Sequence, residues 1–128
     1  MNLGFNEIFI PKIISGSKIH TIRKDSFNRW GAGKLIHICT GLKTKEYKLH
    51  LIKDCVSVQR FDIFWSWSEE LNKNTHNVFV DKTKMLESQI QEIATNDGFE
   101  NVEDFLSCDS WNNKHFTGRL IHWTSKKY

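Results

Sequence analysis

Cys39, Cys55 and Cys108 are the only thiols in this chain of 128 residues, and no two of them form a C-x-x-C pair. An odd number at wide spacing excludes a disulfide framework and a zinc ribbon, and leaves reduced, packed thiols as the expectation. The six histidines also lack metal spacing: there is no H-E-x-x-H, and no H-x-E followed by a cysteine pair. No metal and no cofactor are expected. Neither G-x-G-x-x-G nor G-x-x-x-x-G-K-[ST] occurs, so Rossmann and P-loop folds drop out. With one proline, seven glycines and no internal repeat or low-complexity stretch, nothing reads as a linker, and one domain over residues 1–128 is expected. No apolar run approaches the ~20 residues needed to span a bilayer. The N-terminal "MNLGFNEIFIPK" has no basic segment ahead of an apolar block. A cytoplasmic setting without a membrane partner is the resulting expectation.

What is present is an ordinary globular composition, 39% hydrophobic and 26% charged. The net charge of +3 is unevenly spread: residues 1–50 carry +6, residues 51–115 carry −6 and residues 116–128 carry +3. A basic N-terminal part joined in space to a basic C-terminal strand would form one positive face, as expected for an anionic partner such as RNA. Clustered charges on a solvated surface are the alternative.

The order of local patterns points to an α+β chain. In "EIFIPKIISG", Pro11 suits a first helical turn and Gly16 a C-terminal stop. "HTIRK" looks extended. "KLIHICTG" alternates, with Leu35, His37 and Cys39 on one side and Ile36, Ile38 and Thr40 on the other. Leu49 with Leu51, Val56 with Val58, and "NVFV" at 77–80 mark further strand-like runs. Helical periodicity appears at Leu86, Ile90, Ile93 and Ala94 and stops at Asp97-Gly98. Asn101 can cap a short helix carrying Phe105 and Leu106, and "HFTGRLIHWT" reads as a final strand. Such an order predicts a small, mostly antiparallel barrel or curved sheet flanked by two or three short helices.

One stretch concentrates hydrogen-bonding capacity. Ile13, Gly16, Lys18, Thr21, Ile22 and Arg23 form an I..G.K..TIR run, Gly33 precedes a leucine strand, "ATNDGFENVEDF" covers 94–105, and "F.GRLIHW" closes the chain. Together and in this order these pieces resemble the ASCH domain family, across most of the chain. The resemblance implies a PUA-like β-barrel, a superfamily associated with RNA and modified-nucleotide recognition, found in bacteria and their phages. Some small members hydrolyse the N4-acetyl group of acetylcytidine through the lysine and threonine of the K-x-x-T motif and an acidic residue near the D-G-F position. Another is a ribonuclease. By that match Lys18, Thr21 and Asp97 are the catalytic candidates and Arg23 supports them. The amidohydrolases carry glutamate where this chain has Asp97, one methylene shorter, and the segment 61–85 is longer than in minimal members.

The chemistry has its own conditions. In an ideal strand Lys18 and Thr21 would point to opposite faces, so they converge only if the backbone turns between them, which Gly16 and Ser17 permit. A lysine serves as a base toward a hydroxyl when burial or a nearby cation such as Arg23 lowers its pKa. Asp97 would then orient the lysine or pass a proton to a leaving amine. Read structurally, Lys18 is a surface lysine, Thr21 a strand residue and Asp97 a turn residue paired with Arg23. Three functions follow as expectations: an amidohydrolase acting on N4-acetylcytidine-like substrates, a non-enzymatic RNA-binding module, and a ribonuclease.

Five tryptophans invite base stacking. Trp65 and Trp67 share a face of an extended segment, Trp111 and Trp123 suit the core, and Trp30, beside Arg29, is the candidate for exposed stacking. His20, inside the motif, is a candidate substrate contact or proton carrier, with a structural, hydrogen-bonded role as the alternative. His37 and His122 are expected to be neighbours across a sheet.

Overall fold

The computed structural model describes residues 1–128. Strand β1 (Asn2–Gly4) leads through a 3₁₀ turn (Glu7–Phe9) into helix α1 (Ile10–Ser15). Strands β2 (His20–Arg23), β3 (Leu35–Thr40), β4 (Lys48–Asp54), β5 (Ser57–Ser68), β6 (Lys73–Val80) and β7 (Thr83–Lys84) follow. Helices α2 (Glu87–Asn96) and α3 (Val102–Leu106) precede the last strand, β8 (Phe116–His122). None of the helices is long and apolar enough to cross a membrane.

Local chemistry explains most boundaries. Pro11 stands in the first turn of α1, and Gly16 ends it at a φ of 85°, its N–H closing on the Ile13 carbonyl. Ile36 and Ile38 on β3 are fully buried as alternation requires, but Cys39 and Thr40 are buried together. A register shift against β4 between Ile38 and Cys39 breaks the two-residue period there. On α2, Ile90, Ile93 and Ala94 face inward. Leu86, grouped with them by spacing, is instead the residue before the helix and is exposed. Asn101 caps α3, its Oδ1 accepting from the Asp104 N–H at 2.8 Å.

The strands form two sheets, β1-β3-β4 and β2-β8-β5-β6-β7. All pairings are antiparallel except β1 with β3. No closed barrel forms, contrary to expectation: β1 and β2 remain edges of separate sheets. The five-stranded sheet lies between two cores. Leu120 of β8 packs with Phe61, Ile63, Val78, Ile93, Phe105 and Trp111 under the helices. Its neighbour Ile121 packs with Ile36, Ile38, Trp30 and Trp123 toward the other sheet. Alternation along one strand thus serves both layers. Trp111 and Trp123 are core residues, as expected.

The β5–β6 hairpin is longer than the sequence runs suggested. Phe61–Ser68 pairs with Val80–Lys73, while β8 accompanies β5 only from Ser57 to Ile63. Trp65 lies against the helix-side core and donates its indole N–H to the Trp111 carbonyl, whereas Trp67, further along the same face, is exposed.

Two expectations fail here. Trp30 is only 6% exposed and sits in the inter-sheet core, because Asp25 folds the preceding loop back by accepting from the Arg29 and Trp30 backbone N–H groups. His37 lies on β3 in the other sheet; the cross-strand partner of His122 is His20.

Candidate functional site

A cavity of about 200 Å³ occupies the gap between the end of β1 and the edge strand β2. Lys18, Thr21, Arg23 and Asp97 all line it, together with Phe5, Phe9, Phe99 and Trp111. Its volume equals roughly six or seven waters of the liquid, the scale of one nucleobase.

Lys18 reaches the cavity because it is not part of the strand. Its N–H donates to the Lys12 carbonyl, and the next N–H, of Ile19, donates to the Asn96 carbonyl, so the chain between α1 and β2 is laced to the end of α2. The turn removes the opposite-face problem posed by a K-x-x-T spacing. Asp97 arrives as the C-terminal cap of α2. Gly98 follows at a φ of 93°, and a Cβ there would stand 3.0 Å from the Phe9 ring and 3.2 Å from Lys18 Cδ. Glycine is therefore required both by the left-handed backbone and by the approach of Lys18. Lys12 Nζ donates to the Gly98 carbonyl at 2.6 Å and fastens this turn to α1.

The ammonium of Lys18 is 3.0 Å from Asp97 Oδ1 and 2.6 Å from the Asp97 carbonyl oxygen, and its Nζ lies 4.8 Å from the Phe9 ring centroid. A cation at a helix C-terminus also meets the negative end of the helix dipole. Burial nevertheless drives the Lys18 pKa below its ordinary value; the attraction of Asp97 opposes this and the Arg23 charge adds to it. Burial pushes the Asp97 carboxyl up, but the Lys18 charge and the His20 hydrogen bond outweigh it and hold the carboxyl below its usual range. Burial likewise lowers the Arg23 pKa.

Arg23 spans the seam between the sheets. Its Nη2 donates to the Gly4 carbonyl at 2.8 Å, its Nε donates to Thr21 Oγ1 at 3.1 Å, and the guanidinium lies 4.7 Å from the Phe5 ring centroid. Arg23 makes no ion pair with Asp97; that partner is Lys18. Having accepted from Arg23, the Thr21 hydroxyl is free to donate into the cavity. No hydrogen bond joins Lys18 to Thr21: Lys18 bonds to Asp97, and Thr21 accepts from Arg23.

His20 does not line the cavity and is fully buried behind it, which removes it as a substrate contact. Its Nδ1 is 3.1 Å from Asp97 Oδ1 and its Nε2 is 2.7 Å from the Tyr128 hydroxyl, which also accepts from Asn96 Nδ2 at 2.9 Å. One arrangement satisfies all of these groups. Nδ1–H donates to the carboxylate, and Nε2 accepts from the phenol. Burial raises the Tyr128 pKa, which keeps the phenol protonated for that task. Tyr128 is held in turn by Gln59, whose Oε1 accepts from the Tyr128 N–H at 2.9 Å and from His122 Nε2 at 3.0 Å. His122 is buried with Nδ1 unpartnered, and burial followed by the nearby His20 lowers its pKa to about 4.

Lys18, Thr21, Arg23 and Asp97 therefore converge, Trp30 borders a separate depression with Leu3 and Leu42, and His20 backs the site. Sequence reasoning missed Phe5, Phe9 and Phe99 as walls and Tyr128 as the support of His20. The phenylalanines look like ordinary core residues in sequence, and nothing near Tyr128 announces a partner 108 positions away. No three His, Cys, Asp or Glu side chains gather as a metal-binding group. Comparison with protein-family models, with curated proteins and with solved structures returns no match.

Proposed function

We propose that the cavity receives a modified pyrimidine, as a nucleoside or as a base of RNA, and that the protein hydrolyses an exocyclic amide of the N4-acetylcytidine type. The observation that carries this reading is the convergence of buried Lys18, Thr21 and Asp97 on one hollow of nucleobase size. Aromatic walls suit a flat heterocycle. Lys18, acting through the neutral fraction that burial favours over the resting ammonium, takes a proton from a water held between it and Thr21, and the water oxygen bonds to the amide carbonyl carbon. The Thr21 hydroxyl donates to the carbonyl oxygen as it gains charge, with Arg23 behind it. As the C–N bond breaks, Lys18 returns the proton to the departing exocyclic amine, leaving acetate and the free amino pyrimidine. Asp97 stabilises the ammonium that this step forms and that also exists at rest, and His20 with Tyr128 holds Asp97 in place. The motif match described above, G-x-K-x-x-T-I-R with D-G-F, supports the same assignment.

Chromatographic assay of N4-acetylcytidine hydrolysis tests this. Lys18→Met and Thr21→Val are each expected to lower kcat by about 10²–10⁴-fold, the usual contribution of a positioned proton-transfer or oxyanion group. Equal rates in wild type and Lys18→Met would end the proposal. A second reading, an RNA-binding module without turnover, is favoured by Arg23, Arg119 and Arg60 standing directly opposite one another on β2, β8 and β5. Binding of RNA that weakens with salt, with no product formed, would select it.

A further inference from the structure

Beside the cavity and sharing its wall is a second recess, lined by Ile22, Arg23, Lys24, Ser110, Lys114, His115, Phe116 and Thr117. Ile22, Arg23 and Ser110 border both hollows, so the two are neighbours on either side of a wall that includes the Arg23 side chain. The chemistry changes across that boundary. The cavity holds a carboxylate and aromatic rings; the recess has four basic residues and no acidic one. Lys24 and Lys114 are exposed and form no ion pair, unlike Lys12, Lys18 and Lys126, which each face a carboxylate.

The recess is also held in fixed relation to the cavity. Trp111 lines the cavity, donates its indole N–H to the Phe105 carbonyl at 2.9 Å, and accepts from the Lys114 N–H at 3.0 Å. Asn113, at a φ of 53°, turns the chain between them. The residue that walls the base-sized hollow thus sets the position of the lysine next door. Further along, the next depression is different: Arg60 is paired with Asp62, Arg119 donates to Asn28, and Asp25 and Asp81 line it. Carboxylates enter the lining there, whereas the recess beside the cavity has none.

We propose that this recess is a phosphate subsite, so that the ligand of the adjoining cavity is a nucleotide, carried singly or within a single strand, rather than a bare nucleoside. This rests on the pyrimidine reading of the cavity and adds to it the phosphate attached to that pyrimidine. Lys24 and Lys114 supply charge and Ser110 a neutral donor, an arrangement that suits phosphate oxygens. Because Asp25 and Asp81 line the next depression while no carboxylate lines this one, the gain is expected from a single phosphate.

The test compares four probes that the proposed reaction cannot consume, by isothermal titration calorimetry at 50 and 200 mM salt: cytidine, its 5′- and 3′-monophosphates, and a trinucleotide with cytidine at its centre. Wild type is set against Lys24→Ala/Lys114→Ala, whose folding is checked by its urea transition. At low salt a phosphate-bearing probe is expected to bind about tenfold tighter than the nucleoside. That advantage should shrink between 50 and 200 mM salt as the phosphate–lysine attraction is screened, and the ratio should collapse toward one in the double variant. A monophosphate that gains while the trinucleotide does not identifies a free nucleotide as the ligand; the converse identifies a strand. An unaltered ratio in the double variant, or nucleoside and phosphorylated probes binding alike to wild type, overturns the subsite while leaving the pyrimidine reading intact. If the trinucleotide binds through Lys24 and Lys114 but the nucleoside does not bind at all, the subsite stands and the pyrimidine reading falls. No binding of any probe overturns both.

Discussion

Replacing Asp97 with asparagine keeps the shape of the site and removes one charge, leaving the Lys18 ammonium buried against a neutral amide. At the observed 3.0 Å separation, two unit charges in a medium of effective dielectric about 20 attract by about 5–6 kcal/mol. Desolvation of both ions offsets part of this, so the loss for Asp97→Asn is expected at about 3–5 kcal/mol, the range for an orphaned buried charge. Lys18→Met, which orphans the carboxylate instead, should cost a similar amount. The double variant replaces a pair by neutral groups and should recover much of the loss, so the two single effects do not add. Urea unfolding of the four proteins at pH 7 measures the cycle. Titration supplies a second signature. Without its counter-charge, Lys18 in the folded state loses its proton further below its ordinary value of 10.5. Between those two values the unfolded chain binds the extra proton, so stability rises with pH, at up to about 1.4 kcal/mol per unit. Asp97→Asn should therefore gain stability with rising pH over a wider range below 10.5 than wild type, and the double variant should show no such slope. Additive single effects, or a flat pH profile for Asp97→Asn, would refute the claim that Lys18 and Asp97 act as a buried ion pair.

Tyr128→Phe should cost about 1–2 kcal/mol in urea unfolding, since it strips a donor from His20 Nε2 and an acceptor from Asn96. Nitrogen NMR of the ring should show His20 Nε2 losing its hydrogen bond, and an unchanged signal would remove Tyr128 from the network. His122, with a pKa lowered to about 4 from 6.5, binds its proton in the unfolded chain before the folded one. Stability should fall as pH drops from about 6.5 to 4, by about 2 kcal/mol after allowance for solvent screening. His122→Asn should flatten that window; an equal slope in the variant would locate the effect elsewhere.

Much of the fold was legible because it follows from short-range chemistry. The proline and glycine bounding α1, the periodic face of α2 and the Asn101 cap all lie within a few residues of the element they define. The Lys18–Thr21–Asp97 grouping was legible through motif spacing, although spacing alone could not show the turn that makes it possible. Trp30 misled because its polar neighbours suggest a surface, while the capture of its backbone by Asp25 tucks the ring inside. His20 misled for a related reason: its partners come from residues 97 and 128, and no local pattern encodes them. The open seam was hidden as well, since edge strands and interior strands read alike in so short a sheet.

The pairing of β2 with β8 has one more consequence. His20 stands opposite His122, and Lys18 meets Asp97 across 79 positions of chain. Closing loops of that length is slow and entropically uphill, and it is repaid only when the intervening layers have packed. A nascent polypeptide emerging from the ribosome would hold the whole K-x-x-T motif well before Asp97, or the final strand that pairs with β2, has been made.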